Sequence, residues 1–202
     1  MAKIRLTKNE LKKQKDDLKR FTRYLPTLEL KKKQLLQEII RIQQEADKLN
    51  SEISQTETSV SKWVGVMAED VDLNEMIRVR ELHLDEGNIA GIDIPIFKDL
   101  EFETVPYDFF EIPFWVDTAV DLCQEQMKRY AAIQIAEQQM AIVREELRTT
   151  IQRIKLFEEV KIPEARENIR VIRIFLGDQS TAEVVRGKIA KSKIEKKKAG
   201  QV

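Results

Sequence analysis

A regular pattern of apolar residues runs through the first third of the chain. Alternating steps of three and four residues from Ile4 to Trp63 reach 18 positions, and 14 of them are apolar. A mean spacing of 3.5 residues is typical of a coiled-coil helix, because it keeps one face against a partner. The pattern predicts one helix over residues 1–64, about 90 Å long if it is continuous. Pro26 is expected to bend this helix without ending it.

Polar residues interrupt this seam at a few positions. Gln14 and Lys32 are two of them. Polar residues in a seam either fix the register of the two helices or mark places where the seam is open to solvent. We favour local exposure for both residues.

A second helical pattern occupies residues 117–202. Asp117 and Thr118 are suitable N-cap residues. The pattern is interrupted at 160–163, where a break or bend near Pro163 is expected, and it resumes at Ala165. Gly177 and Asp178 then predict a C-cap or a kink before the lysine-rich tail.

The two seams have to be covered by other apolar surface. An antiparallel pairing of the two arms covers both within one chain, whereas a parallel homodimer would need a second copy and ranks second. The predicted seam residues are Leu11, Leu18, Phe21, Leu25, Leu28, Leu35, Ile39, Ile42, Leu49, Ile53, Ile133, Met140, Leu147, Ile151, Ile154, Ile169, Ile172 and Leu176.

The middle segment, residues 65–116, has a different character. Ile77–Leu84 and Ile92–Thr104 have the short apolar stretches of strands, and residues 85–88 with Gly91 supply turn chemistry, so a β-hairpin is predicted. Pro95 should limit regular pairing on one side. The predicted fold class is mostly α: a long antiparallel two-helix coiled coil with a small β-hairpin-containing insert at the turn end.

Aromatic residues are dense just after the hairpin. Residues 105–115, VPYDFFEIPFW, contain five of them together with two prolines. They either cap the end of the coiled coil or form a docking surface. We favour the cap, because a hairpin needs a small core of its own.

The balanced composition hides an uneven distribution of charge. The chain has 35 basic and 35 acidic residues, but residues 1–64 carry +6, residues 69–117 carry −11 and residues 118–202 carry +5. An acidic insert therefore lies between two basic arms. Basic and acidic residues alternate within the arms, which argues against a nucleic-acid partner.

Residues capable of catalysis or metal binding are sparse. Cys123 is predicted to be a small buried hydrophobic residue rather than a reactive thiol, and His83 an exposed strand residue rather than a catalytic base. The acid pairs Glu69–Asp70 and Asp85–Glu86 lack a calcium-loop pattern, so a solvated acidic face is expected. No nucleotide-binding, zinc-protease or serine-hydrolase motif is present. We expect no catalytic, cofactor or metal site.

The hydropathy pattern also bears on location. No stretch of 18 apolar residues is present, and the basic N-terminus has no apolar segment behind it, so neither a membrane span nor a secretory signal is predicted. The chain is expected to be cytoplasmic and not inserted in the membrane.

Two blocks resemble a known family. Residues 6–35, LTKNELKKQKDDLKRFTRYLPTLELKKKQL, and residues 151–193, IQRIKLFEEVKIPEARENIRVIRIFLGDQSTAEVVRGKIAKSK, are similar to the D subunit of V-type (vacuolar/archaeal-type) ATPases and ATP synthases. The most specific piece is Phe157–Pro163 with the following Ile169, Ile172 and Leu176.

The resemblance implies a non-catalytic rotor shaft in the central stalk. It implies that the terminal helices enter a ring of catalytic A and B subunits, while the middle lies near the small F subunit and the membrane-ring adaptor subunit. The complex would be peripheral to the membrane and would couple ATP hydrolysis or synthesis to ion transport. We expect the basic residues Lys12, Lys13, Lys15, Lys19 and Arg20 to face the hexamer or simply to be solvated. The alternative function is a non-rotary coiled-coil scaffold or tether.

Overall fold

The structure is a computed structural model, and it describes residues 4–62, 65, 71, 73–104 and 113–200. The helices are α1 (Lys8–Val60), α2 (Leu73–Met76), α3 (Trp115–Lys155), a π-helical segment (Leu156–Lys161) and α4 (Ile162–Ala199); the strands are β1 (Ile77–Ile89) and β2 (Ile92–Thr104). The chain forms two compact units. The first contains residues 1–30 and 150–202, and the second contains residues 31–149.

Helix α1 begins at a capped N-terminus. The hydroxyl of Thr7 accepts a hydrogen bond from the N–H of Glu10 at 3.2 Å, which satisfies one of the free donors of the first turn. Thr7 thus belongs to the cap. The helix passes through Pro26 without ending, as the sequence predicts, and the bend there stays a prediction.

In the second unit, α1 and α3 run antiparallel. Lys31 pairs with Glu146 at 2.7 Å near one end of the contact, and Arg129 lies 3.6 Å from Glu52 near the other. The order of partners is therefore reversed between the two helices. Apolar residues from both helices form the core between these pairs, with Leu35 and Val143 fully buried.

The predicted hairpin is present, but its turn lies further along the chain. β1 continues through residues 85–88 to Ile89, and the two-residue turn is Ala90–Gly91, so the placing of turn residues at 85–88 is wrong. Both turn residues have positive φ, 51° and 82°. Positive φ at both positions is the backbone conformation of a tight two-residue hairpin turn, and glycine adopts it with the least strain.

The hairpin packs back onto the helices that flank it. Ile94 is buried in the same cluster as Leu35, Ile42 and Met140. The side-chain amide of Gln139 donates a hydrogen bond to the carbonyl of Pro95. Proline is tolerated here because each strand of a two-stranded sheet has an open edge.

In the first unit, α1 pairs antiparallel with the π-helical segment and α4. The rings of Phe21 and Phe157 lie 5.2 Å apart, and the Nδ2 atom of Asn168 donates to Oε1 of Gln14 at 3.2 Å. The expectation that Gln14 is a solvent-exposed seam residue is therefore wrong, because it is half-buried and bonded across the helix pair. Lys32 is exposed, as expected.

At residues 160–163, where a break is expected, the π-helical segment passes directly into α4. The N–H of Ile162 bonds to the carbonyl of Phe157, five residues back, and the helix continues into α4, where Pro163, which has no N–H to donate, lies in the first turn. The predicted break is therefore wrong, and the bend near Pro163 stays a prediction. The predicted C-cap at Gly177 is also wrong, since α4 continues to Ala199.

These elements confirm the predicted fold class, two long helical arms with a small antiparallel hairpin between them. The expected aromatic cap falls mainly on residues 105–112, and the acid pair Glu69–Asp70 lies close to the hairpin in sequence; both are outside the described residues. In the described part of the chain, no helix has the length and apolar character needed to cross a membrane.

Candidate interaction surfaces

None of the predicted seam residues is exposed. The buried ones are Leu35, Ile42, Ile53, Ile133, Met140, Ile154, Ile169 and Ile172. The half-buried ones are Leu11, Leu18, Phe21, Leu25, Leu28, Ile39, Leu49, Leu147, Ile151 and Leu176. In a coiled coil the seam is the structural surface, so the surfaces that remain for partners lie elsewhere on the helices.

The core also contains residues absent from the predicted set. Ile162 and Ala165 are buried, as is the polar residue Thr150. Ile162 follows Phe157 by five residues, whereas a regular seam would continue after four, so a strict heptad pattern passes over it. The sequence contains this signal as a one-residue shift in the spacing of the apolar residues. Such a shift is as compatible with a π turn as with a break in the helix.

The five predicted hexamer-facing residues are all exposed, but they lie on two different surfaces. Lys12, Lys13 and Arg20 line one shallow cavity together with Asp16 and Asp17. Arg20 is already paired with Asp17 at 3.1 Å. The charge of this first surface is therefore largely balanced.

Lys15 and Lys19 line a different groove, between α1 and α4. Arg166 and Arg173 of α4 complete its rim, and Leu18 and Ile169 are its apolar lining residues; its volume is 400 Å³. We call these six residues the basic groove. The two arginines were not among the predicted residues, because only the pairing of α1 with α4 brings them beside the lysines.

The end of α4 is exposed throughout. Every residue from Gly177 to Lys198 is open to solvent, including Val184, Val185, Ile189 and Ile194. Branched apolar side chains on a helix are usually covered by packing. This stretch is therefore a second candidate surface for a partner.

A third surface is an apolar groove in the second unit. It has a volume of 730 Å³, and Val60, Leu73, Ile77, Leu122 and Cys123 are among its lining residues. Burial raises the pKa of the Cys123 thiol, since a thiolate is poorly solvated there. A raised pKa disfavours the reactive thiolate form, although Cys123 is half-buried and not buried as predicted.

Two acidic residues of the hairpin take part in ion pairs, one with a residue of the hairpin and one with a residue of α3. His83 lies on β1 with its Nε2 atom 3.0 Å from Glu101 Oε1. Asp99 accepts hydrogen bonds from Lys128 at 2.7 Å and from the N–H of Leu100 at 2.8 Å, and these lower its pKa. Among the described residues, no group of three or more His, Cys, Asp or Glu side chains is arranged to hold a metal ion.

Another shifted pair lies on α4. Arg170 forms two hydrogen bonds to Glu167, at 2.6 and 2.8 Å, and these lower the pKa of Glu167 and raise the pKa of Arg170. Both residues are exposed and belong to one helix turn. Such pairs neutralise each other locally and leave little charge for a partner.

Comparison with known proteins agrees with this picture of a helical, partner-binding chain. The model of the family described as the ATP synthase D subunit matches residues 10–192. The V-type ATP synthase D subunit of Borreliella burgdorferi is 44% identical over 197 residues, which cover 98% of both chains. The V-type ATP synthase D subunits of Chlamydia caviae and Chlamydia pneumoniae are 30% and 29% identical, each covering 98% of this chain and 96% of the relative.

Both the family match and the relatives extend over nearly the entire chain, including both arms and the insert. The chain therefore belongs to the family of ATP synthase D subunits.

Proposed function

We propose that this chain is the central-stalk rotor shaft of a V-type ATPase or ATP synthase. It would couple ATP hydrolysis or synthesis in a hexamer of A and B subunits to ion translocation through a membrane ring. The chain itself would be non-catalytic, since its role is to present different faces to the catalytic interfaces as it turns. Its partners would be the A, B and F subunits and the membrane-ring adaptor, in a complex at the cytoplasmic side of the membrane.

The observation that carries this proposal is the antiparallel pairing of α1 in both units. In one unit the pairing is held by the Lys31–Glu146 and Arg129–Glu52 pairs, and in the other by Gln14–Asn168 and Phe21–Phe157. A shaft must transmit torque, and two helices that pack through buried side chains resist twisting better than one helix does.

The exposed surfaces supply places for the other subunits. The exposed end of α4 with Val184, Val185 and Ile189 suits insertion into the hexamer, where those side chains would be covered. Lys15 and Lys19 would face the hexamer as weakly directional charges that still permit turning. Lys12, Lys13 and Arg20 lie among acidic side chains and would stay solvated.

A cross-link between the shaft and the hexamer tests rotation directly. Ser180 is exposed on α4 and accepts a cysteine without disturbing packing. In a Cys123→Ser background, Ser180→Cys is joined through a disulfide to a benzophenone, and light then attaches it to the neighbouring A or B subunit. Continuous ATPase activity of the assembled complex should fall in proportion to the cross-linked fraction and return when the disulfide is reduced.

Controls separate the shaft from a static tether. The same complex kept in the dark should keep its activity, as should a complex that carries only Cys123→Ser. A tether that never turns would keep full activity when cross-linked, and that result would contradict the proposal. Absence of the A, B and F subunits from a pull-down with the tagged chain would favour the alternative function, a non-rotary scaffold.

A further inference from the structure

We propose that the basic groove binds a carboxylate-rich segment of another protein in the complex, with an apolar side chain of that segment placed over the half-buried Leu18. The inference rests on the proposed function, in which this end of the chain is surrounded by other subunits. It adds which face of the helix pair makes the electrostatic contact. It also adds two residues of α4 to the contact, Arg166 and Arg173.

Cations from two helices converge on this groove. Lys15 and Lys19 are one turn apart on α1, and Arg166 and Arg173 are two turns apart on α4. The hydrogen bond between Gln14 and Asn168 fixes the register of the helices at this level. The pairing of the two helices therefore places these four exposed cations along one groove.

Three of the neighbouring acids are engaged elsewhere, and a fourth, Asp16, lines the cavity on the other surface. Asp17 pairs with Arg20 at 3.1 Å, Glu167 with Arg170 at 2.6 Å, and Glu164 lies 3.7 Å from Lys161. Within the described residues, no ion pair involves any of the four cations of the groove. Like charges one turn apart on a helix destabilise it slightly, and a carboxylate partner would reverse the sign of that contribution.

The lining of the groove favours a protein segment over a polyphosphate or nucleic acid. Ile169 is buried and Leu18 is half-buried between the basic side chains. Arginine pairs with carboxylates through two parallel hydrogen bonds, and arginine beside apolar surface is common in protein interfaces. A nucleic-acid backbone would use the charges and leave the remaining exposed part of Leu18 uncovered.

The surface lined by Lys12, Lys13 and Arg20 provides a matched control. This surface has three cations, and a variant that removes three cations from the basic groove can be compared with it directly. Asp16 and Asp17 lie among the cations of this surface. A contact that depended only on the total charge of α1 would use both surfaces equally. The inference predicts that the two surfaces behave differently.

The test uses the full chain and the purified A–B hexamer, at several salt concentrations. Lys15→Gln/Lys19→Gln/Arg173→Gln should weaken binding by about tenfold or more and reduce the salt dependence of the affinity. Lys12→Gln/Lys13→Gln/Arg20→Gln should change the affinity by no more than about twofold. The variant Arg166→Gln/Arg173→Gln leaves α1 unchanged, and it should also weaken binding to the hexamer.

The outcomes are distinguishable. Circular dichroism and the thermal midpoint should be the same for all variants, because the substituted side chains are exposed. If the wild-type chain does not bind the hexamer, the proposed function fails and this inference fails with it. If the wild type binds and all the variants bind equally well, only the inference is overturned. The inference would also be overturned if the groove variants lost affinity for a DNA duplex but kept their affinity for the hexamer.

Discussion

Leu35 is the residue at which the α1–α3 pairing and the hairpin meet. Its side chain has 0% exposure and lies in one cluster with Ile42, Ile94, Met140 and Val143. Residues of α1, β2 and α3 thus share a single apolar core. The energetic cost of truncating this side chain measures how tightly these three elements are joined.

Leu35→Ala should lower the free energy of unfolding by about 2–5 kcal/mol, because it removes buried surface and leaves a cavity. Leu36→Ala makes the same chemical change at a neighbouring side chain that is 42% exposed, and it should cost less than about 1 kcal/mol. Urea unfolding of both variants checks this. Equal effects would mean that Leu35 is not in a packed core.

Two glycines should respond in opposite directions to the same substitution. Gly91 has a φ of +82° in the hairpin turn, so Gly91→Ala should destabilise the chain by about 1 kcal/mol. Gly177 lies within α4 with open space around it, so Gly177→Ala should stabilise the helix by up to about 1 kcal/mol. Thermal unfolding followed by circular dichroism measures both; destabilisation by Gly177→Ala would contradict the continuous helix.

The hydrogen bonds to Asp99 should make the stability of the folded chain depend on pH in the acidic range. The hydrogen bond from Lys128, followed by that from the N–H of Leu100, holds its folded-state pKa below the ordinary value of 3.8. Because the folded pKa is depressed, the stabilisation is complete above the ordinary value and is lost as the pH falls through the lower folded value.

The wild type should therefore have a higher thermal midpoint than Asp99→Asn at about pH 6, and the difference should vanish towards about pH 2. The measurement is a series of thermal unfolding curves for both proteins across this range. Because the pair is exposed and screened by salt, the difference should be small and should shrink at high ionic strength. A difference that grew on acidification would contradict the assigned sign.

At the scale of elements, the π-helical segment corrects the phase of the seam. The buried or contacting residues Ile154, Phe157, Ile162, Ala165 and Ile169 follow each other by three, five, three and four residues. The five-residue step coincides with the hydrogen bond from Ile162 to Phe157. The π turn therefore takes up one additional residue and keeps the seam facing α1 on both sides of it.

Deletion of one residue should test this directly. Removing the exposed Glu159 turns the five-residue step into four, so the chain should fold with an ordinary α-helix and keep its free energy of unfolding. Removing the exposed Glu167 instead shifts Ile169 and Ile172 off the seam and should cost about 3 kcal/mol or more. Urea unfolding compares the two deletions, and a greater loss for Glu159 would refute the phase-correcting role.

At the scale of the whole molecule, the hairpin is part of the structural core as well as a candidate contact for the F subunit. Its Ile94 covers the cluster that contains Leu35 and Met140, and Gln139 binds the carbonyl of Pro95. The hairpin, residues 77–104, carries a net charge of −4 of the −11 carried by residues 69–117. Loss of the hairpin would uncover apolar surface on the helices.

Replacing residues 77–104 with a short polar linker should leave both arms helical but lower the thermal midpoint. It should also alter assembly with the F subunit or the coupling of ATP hydrolysis to rotation. Circular dichroism measures the first effect, and reconstitution with the A, B and F subunits measures the second. An unchanged midpoint with normal assembly and coupling would show that the hairpin is passive.

The sequence by itself determined the helical arms, the antiparallel arrangement and the presence of a hairpin, because apolar periodicity and turn residues act over short distances along the chain. Tertiary structure alone decided how far β1 continues before the Ala90–Gly91 turn, the bond between Gln14 and Asn168, and the placing of Arg166 and Lys15 on one groove. These features depend on which residues of distant segments lie side by side. Helix phase and register fix those neighbours, and a one-residue shift, such as the one the π turn absorbs, changes all of them.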